Sequence, residues 1–308
     1  MLLADLAYSH INDQLSTLSI ERSTADDYTK AIRAWVRSVG NLPMESVTED
    51  VLRDGMRDML SKGITPRTLS KRYTILKTIL DAAERRGLIA ENPLRWIKKP
   101  RVDEAERNYL PKDERERLKK RLADMKPSAY VLADMLALYA GLRCEEVCAL
   151  QVRDIDLASR MGYVRRAIGR DGWRTYEKGT KGRKTRDFPL SEKLAAYLET
   201  WLNFPPAMKP RKDAYLLTFT EDWLHPSKVG RMWSKLAEVD DIIGANGKRP
   251  TFHDLRHTFA TACVAGGMDV KTLQSILGHT DARVTLNVYA SADRDAKLAA
   301  AAVIDQAV

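Results

Sequence analysis

The sequence predicts a mainly α-helical protein with a small antiparallel β-sheet, divided into an N-terminal helical domain and a larger C-terminal α+β domain. Three observations carry this expectation. The first hundred residues place apolar side chains at helical spacing between caps and glycines, with no convincing run of period-two alternation. Short β-prone runs separated by Gly, Asp and Lys appear in the segment 152–190. Between the two regions, IKKPRVDEAERN (97–108) is charged, contains proline and lacks apolar periodicity, so it reads as a linker. The domains are accordingly 1–102 and 103–308, and a length of 308 residues suffices for two cores at ~150 residues each.

In chain order, residues 24–38 place Tyr28, Ile32, Trp35 and Val39 on one helical face, with acids in the first turn and Gly40 beyond the end. Ser46 and Glu49 fit a capping box that starts a second helix, closed by Gly63. Pro66, harmless in a first turn, opens a long third helix in which Leu69, Tyr73, Leu76, Leu80 and Ala83 share a face up to Gly87. Its other face carries Arg67, Lys71, Arg72 and Lys77 among Thr68, Ser70 and Thr74. These can contact phosphate oxygens, or form the solvated face of any amphipathic helix. Beyond the linker, helices are expected at 111–125 and 128–140, the second apolar on most sides and stopped by Gly141. After the sheet they resume at 191–203, 225–238, 252–265, 269–277, 281–290 and 292–306.

Fifty-one Lys and Arg against 42 acidic residues give a net charge of +9, which favours a polyanionic partner, nucleic acid above all. Cys144, Cys148 and Cys263 form no CxxC pair and suit a reducing interior. The first residues lack the basic-then-apolar pattern of a signal peptide, and no apolar run approaches the ~18 residues needed to span a bilayer. A cytoplasmic location without membrane association is expected.

The polar groups that carry chemistry sit at helix junctions. In TFHDLRHT (251–258), Thr251 and Asp254 cap a helix, and His253 and Arg256 lie three apart on one face. His279 follows Gly278, the expected C-cap of the preceding helix, and Tyr289 stands ten residues later in NVYA. Arg143 lies just past Gly141 in GLRCEEVCAL. Each residue alone fits a cap, a surface charge or a satisfied core group. Together, GLRCEEVCAL, HDLRH, ILGH and NVYA resemble the signature of the tyrosine recombinase or phage integrase family, in order, with the two arginines 113 positions apart (256 − 143).

That resemblance implies a SAM-like helical core-binding domain followed by the catalytic domain, the first matched in its helices and in NPLRWIK. It implies that Arg143, Lys181, His253, Arg256, His279 and Tyr289 are catalytic. The family's hairpin lysine stands eight residues before a proline, as Lys181 does before Pro189, with Lys178 and Lys184 as competitors. Arg183 and Lys184 join Arg67, Lys71, Arg72 and Lys77 as candidate DNA contacts. Physical chemistry suits these roles. Attack on a phosphodiester builds charge on nonbridging oxygens, which two planar, permanently charged guanidinium forks can clamp without a metal. Tyr289, with a reference pKa near ~10, must shed a proton, which His253 or the positive cluster can assist, before a covalent phosphotyrosyl bond forms. Lys181 would protonate the departing 5′ oxygen and His279 would bond a phosphate oxygen. No cofactor and no ATP are implied.

The resemblance further implies double-stranded DNA as partner and a homotetramer on two duplexes, with the tail helix 292–306 exchanged between protomers and accessory DNA-bending proteins as possible helpers. An integrase of a phage or conjugative element, without an arm-binding domain, fits the long 163–188 hairpin (RRAIGRDGWRTYEKG). An Xer-type recombinase for chromosome dimer resolution is the alternative. A catalytically silent DNA-binding protein fits less well because Tyr289 is retained, and a type IB topoisomerase because of the LGH motif and short tail. His253 and His257 also stand at H-xxx-H spacing for zinc, but the catalytic Glu is absent and Arg256 between them repels a cation.

Overall fold

The computed structural model describes residues 1–102, 107–171, 174–179, 185–203 and 210–278. The chain divides into two compact units, the first built on Met1–Ala105 and the second beginning at Glu106. Residues at both ends of the expected linker, 97–108, pack within a unit. Ile97 is buried in the first unit, where the Tyr73 hydroxyl donates to its carbonyl at 2.6 Å, and Asn108 is buried in the second, where its Nδ2 donates to the Lys248 carbonyl at 3.0 Å.

Among its described residues the first unit holds four α-helices, α1 (Leu3–Ser16), α2 (Arg22–Val39), α3 (Glu49–Ser61) and α4 (Pro66–Arg85). Helix α1 was not resolved as an element from sequence, because Leu2 offers no side-chain cap, yet it buries Leu3, Leu6, Ala7 and Ile11 on one stripe. Helix α2 starts two residues before the expected Thr24, which moves Asp26 and Asp27 out of its first turn. The capping box expected from Ser46 and Glu49 does not form. Met44–Ser46 make a 3-10 turn, and Thr48 caps α3 by accepting from the Val51 amide. Thr65 caps α4 in the same way, with Pro66 at the first position as predicted. Trp35, Leu52, Leu69, Leu76, Ile79 and Leu80 fill the core, where each large apolar side chain contributes ~1.5–3 kcal/mol.

The second unit opens with α5 (Lys112–Asp124) and α6 (Ala129–Ala140). Ser128 caps α6, which is buried on nearly every side and packs against three later helices, α8 (Glu192–Leu202), α9 (Pro226–Val239) and α10 (Phe252–Ala265). Gly141 ends α6 with φ +65°, a left-handed conformation open to glycine. A Cβ there would lie 2.5 Å from Phe259 and 2.7 Å from Leu277, so the turn also needs glycine for space. A single turn, α7 (Cys144–Val147), follows at once.

Among the described residues the expected single sheet is two. Strands β1 (Ile155–Asp156), β2 (Met161–Val164) and β5 (Arg186–Pro189) form an antiparallel sheet in the order β1-β2-β5, with Gly162 opposite Phe188. Strands β3 (Arg166–Asp171) and β4 (Arg174–Gly179) pair separately. Helix α10 begins where the sequence predicts, with the Asp254 carboxylate accepting from the Thr251 amide at 2.7 Å and the Thr251 hydroxyl at 2.8 Å. Helix α11 (Val270–Leu277) ends at Gly278, φ +63°. The helices expected at 281–290 and 292–306 lie outside the described residues. None of the described helices is long and apolar enough to cross a membrane.

Candidate active site

Three helix ends meet around one buried carboxylate. Arg143, two residues past the Gly141 turn, caps α7: its amide donates to Glu146 Oε2 at 2.9 Å and its Nη1 to Glu146 Oε1 at 2.8 Å. Arg186, from β5, faces the same carboxylate with a two-pronged contact, Nη1 to Oε1 at 2.9 Å and Nη2 to Oε2 at 2.5 Å. Arg256, one turn into α10, lies 3.9 Å from Oε2 and donates to the Gly141 carbonyl and the Leu277 carbonyl, both at 2.7 Å. Those carbonyls belong to the carboxy ends of α6 and α11, where the helix leaves acceptors unpaired and negative partial charge accumulates, so a guanidinium there satisfies both.

The charge balance explains why this cluster holds. Burial by itself would raise the Glu146 pKa, but the Arg186 hydrogen bond, reinforced by the charges of Arg186, Arg143 and Arg256, drives it from 4.5 down to about 2. Burial, with repulsion from Arg143 and Arg186, pushes the Arg256 guanidinium down to about 9, only partly offset by Glu146, and it remains charged at neutral pH. Arg143 retains 28% side-chain exposure against 3% for Arg256. One fork is therefore presented outward while the other is locked by the scaffold.

His253 belongs to the same cluster. It stands three residues before Arg256 on α10, exposed at the surface, and crowding on its inner side together with the Arg256 and Arg143 charges lowers its pKa. It is a neutral imidazole at physiological pH, able to take or give a proton. His257 packs edge-on against it with ring centroids 4.9 Å apart, and burial followed by the His253 charge brings it down to about 4. It supports the His253 ring. Among the described residues no group of three or more His, Cys, Asp or Glu stands together to hold a metal.

The structure thus brings together Arg143, His253 and Arg256. Lys181, Arg183, Lys184, His279 and Tyr289 lie outside the described residues, although His279 directly follows the described cap of α11. The α4 candidates are engaged within their own unit: Lys71 pairs with Asp27 at 2.8 Å, Lys77 reaches both Asp81 oxygens at 2.9 and 2.7 Å, and Arg72 approaches the Met59 sulfur. Sequence reasoning passed over Glu146 and Arg186. The glutamate stood inside a quoted motif without a role, and TRDFPL gave only the hint of an arginine in a strand that ends at a proline.

An outward arginine, a scaffold-locked arginine and a neutral histidine, set in GLRCEEVCAL and HDLRH on this helical frame, define the catalytic domain of a tyrosine recombinase. The profile of the phage integrase family matches residues 108–295, and the chain belongs to that family. The chain is 28% identical over 278 residues to a tyrosine recombinase of Thermosipho africanus, covering 89% of this chain and 90% of the relative. It is 28% identical over 291 residues to the tyrosine recombinase XerC of Mycobacterium sp. strain KMS, covering 87% and 89%. In fold it resembles the Tn1549 transposon integrase in complex with a circular intermediate DNA (TM-score 0.83, 22% identity, 100% of both chains). A lambda integrase dimer bound to a core site is also similar (TM-score 0.71, 19% identity, 94% of this chain and 95% of the other). The protein is a site-specific recombinase, an enzyme of DNA strand breakage and rejoining.

Proposed function

We propose that this recombinase integrates and excises a mobile element, acting on double-stranded DNA through Tyr289. The observation that carries the reading is the meeting of Arg143 and Arg256 around Glu146, with His253 beside the two arginines. The Tyr289 hydroxyl attacks a backbone phosphorus, the tyrosyl oxygen–phosphorus bond forms and the bond to the 5′ oxygen breaks. The phenolic proton passes to His253, the positive cluster favours the phenolate so formed, and Lys181 supplies the proton taken by the 5′ oxygen. Arg143 and Arg256 neutralise the charge on the nonbridging oxygens, and His279 bonds one of them. A 5′ hydroxyl from another strand then reverses the step, so the 3′-phosphotyrosyl bond conserves the energy of the one broken and ATP is not consumed. Four protomers on two duplexes, linked by exchange of helix 292–306 and aided by DNA-bending proteins, complete the assembly, with Arg67, Lys71, Arg72, Lys77, Arg183 and Lys184 contacting the backbone. The reaction takes place in the cytoplasm.

The likeness to a transposon integrase with a circular intermediate DNA supports the mobile-element role. The relatives named XerC favour a second reading, chromosome dimer resolution. A nicked suicide duplex tests the chemistry: wild type is expected to form a denaturation-resistant adduct and Tyr289→Phe none. Adduct formed equally by the variant refutes the mechanism. Element circles in cells carrying the gene, against persistent chromosome dimers on its deletion, separate the two roles.

A further inference from the structure

Strand β5 begins five positions after Lys181 (186 − 181), and its first residue is Arg186. The Arg186 side chain is only 10% exposed, yet it is not spent on strand pairing. While Nη1 and Nη2 hold Glu146, Nε donates to the Ile276 carbonyl at 2.8 Å. Ile276 lies in the last turn of α11, where the carbonyls have no helical partner. The contact therefore caps α11 with a positive charge at the negative end of its dipole. The same side chain lies along the turn that leaves the helix: a Cβ on Gly278 would fall 2.8 Å from Arg186 Cδ and 3.1 Å from Nε. The next residue is His279.

We propose that Arg186 is a positioning residue, whose planar fork bolts the carboxy end of α11, and so the point from which His279 departs, to the Glu146 carboxylate that holds Arg143. The inference rests on the recombinase site described above and adds a part that the six proposed catalytic groups do not contain. One rigid guanidinium serves two acceptors on two separate elements, in one plane. A lysine, with a single flexible point charge, reaches one of them and leaves α11 free to shift against Arg143.

The test compares Arg186→Lys, His279→Gln and the double variant in three measurements: single-turnover cleavage of a suicide duplex, DNA affinity and thermal unfolding. A misplacement of the order of 1 Å at a catalytic group costs up to ~100-fold, so Arg186→Lys is expected to cleave about 10- to 100-fold more slowly. Its DNA affinity should be unchanged, and the double variant should cleave no more slowly than His279→Gln alone, because both changes remove one contribution. If Arg186→Lys unfolds below the assay temperature, Arg186→Gln carries the same comparison, since Glu146 still faces Arg143 and Arg256. Wild-type cleavage by the variant, a rate loss matched by lost DNA affinity, or losses that multiply with His279→Gln would each overturn the proposal. An adduct that persists in Tyr289→Phe would instead overturn the site reading itself, a separate result in the same assay.

Discussion

Replacing Glu146 by Gln removes the one negative charge among three arginines while keeping the side chain's shape. The size of the effect follows from the proton equilibrium. A carboxyl held at about 2 instead of 4.5 contributes about 3 kcal/mol at neutral pH, at ~1.4 kcal/mol for each tenfold change in that equilibrium. Glu146 is 5% exposed, so little of this is screened by solvent, and the figure agrees with the ~3–5 kcal/mol typical when one partner of a buried ion pair is removed. For a domain of about 200 residues the loss lowers the melting temperature by roughly 6–12 °C. The pH dependence gives a sharper signature. A carboxyl whose folded-state pKa is depressed stabilises the fold above its unfolded value and loses that contribution as pH falls through the folded value. The gap between wild type and Glu146→Gln should therefore be full above pH 4.5 and close as pH drops toward 2, measured by circular dichroism melts or urea titration. A variant that melts with wild type at pH 7, or a gap independent of pH, would refute the argument that Glu146 holds the arginines together.

Gly141→Ala must adopt φ +65° and place its methyl 2.5 Å from Phe259, so strain and overpacking together should cost about 2–4 kcal/mol, read as a lower urea midpoint. Asp134, fully enclosed in the apolar α6, has its pKa raised well above 3.8 by burial, so it stabilises least when ionisation is favoured outside the fold. Stability should fall as pH rises from 3.8 toward the folded value, and Asp134→Asn should flatten that slope and be at least as stable as wild type at pH 7. For His253, whose pKa is lowered below 6.5, cleavage should hold level from pH 8 to 6.5 and decline only at lower pH; His253→Gln, slower throughout, should lose that decline.

The site was legible where a side chain's position is set by its own neighbours in sequence. Arg143 follows a helix-ending glycine, and His253 and Arg256 share one face of a capped helix, so local rules place each of them. Helix α4 was legible for the same reason, with Thr65, Pro66 and its apolar stripe all local. What sequence did not yield are pairings across the chain. The Glu146–Arg186 contact joins residues 40 positions apart, and Arg186 to Ile276 spans 90, so neither side chain shows its partner in its own segment. Helix α1 carries a readable stripe but no capping side chain to mark its start. Ser46 and Glu49 had capping-box spacing, yet α3 begins at Glu49, so the residue before it, Thr48, is the one whose hydroxyl reaches the Val51 amide. The split of one expected sheet into two reflects strands of two to six residues, too short for alternation to reveal which pairs with which.

Under the proposed mechanism Tyr289 forms the covalent bond to DNA while Arg143 and Arg256 neutralise the phosphate. Protease digestion of the trapped protein–DNA adduct, followed by mass spectrometry of the nucleotide-bearing peptide, tests it most directly. A 3′-phosphate mass is expected on Tyr289 in the peptide around NVYA, and its disappearance in Arg256→Lys under single-turnover conditions. A nucleotide attached to any other residue, or an undiminished adduct in that variant, would contradict it.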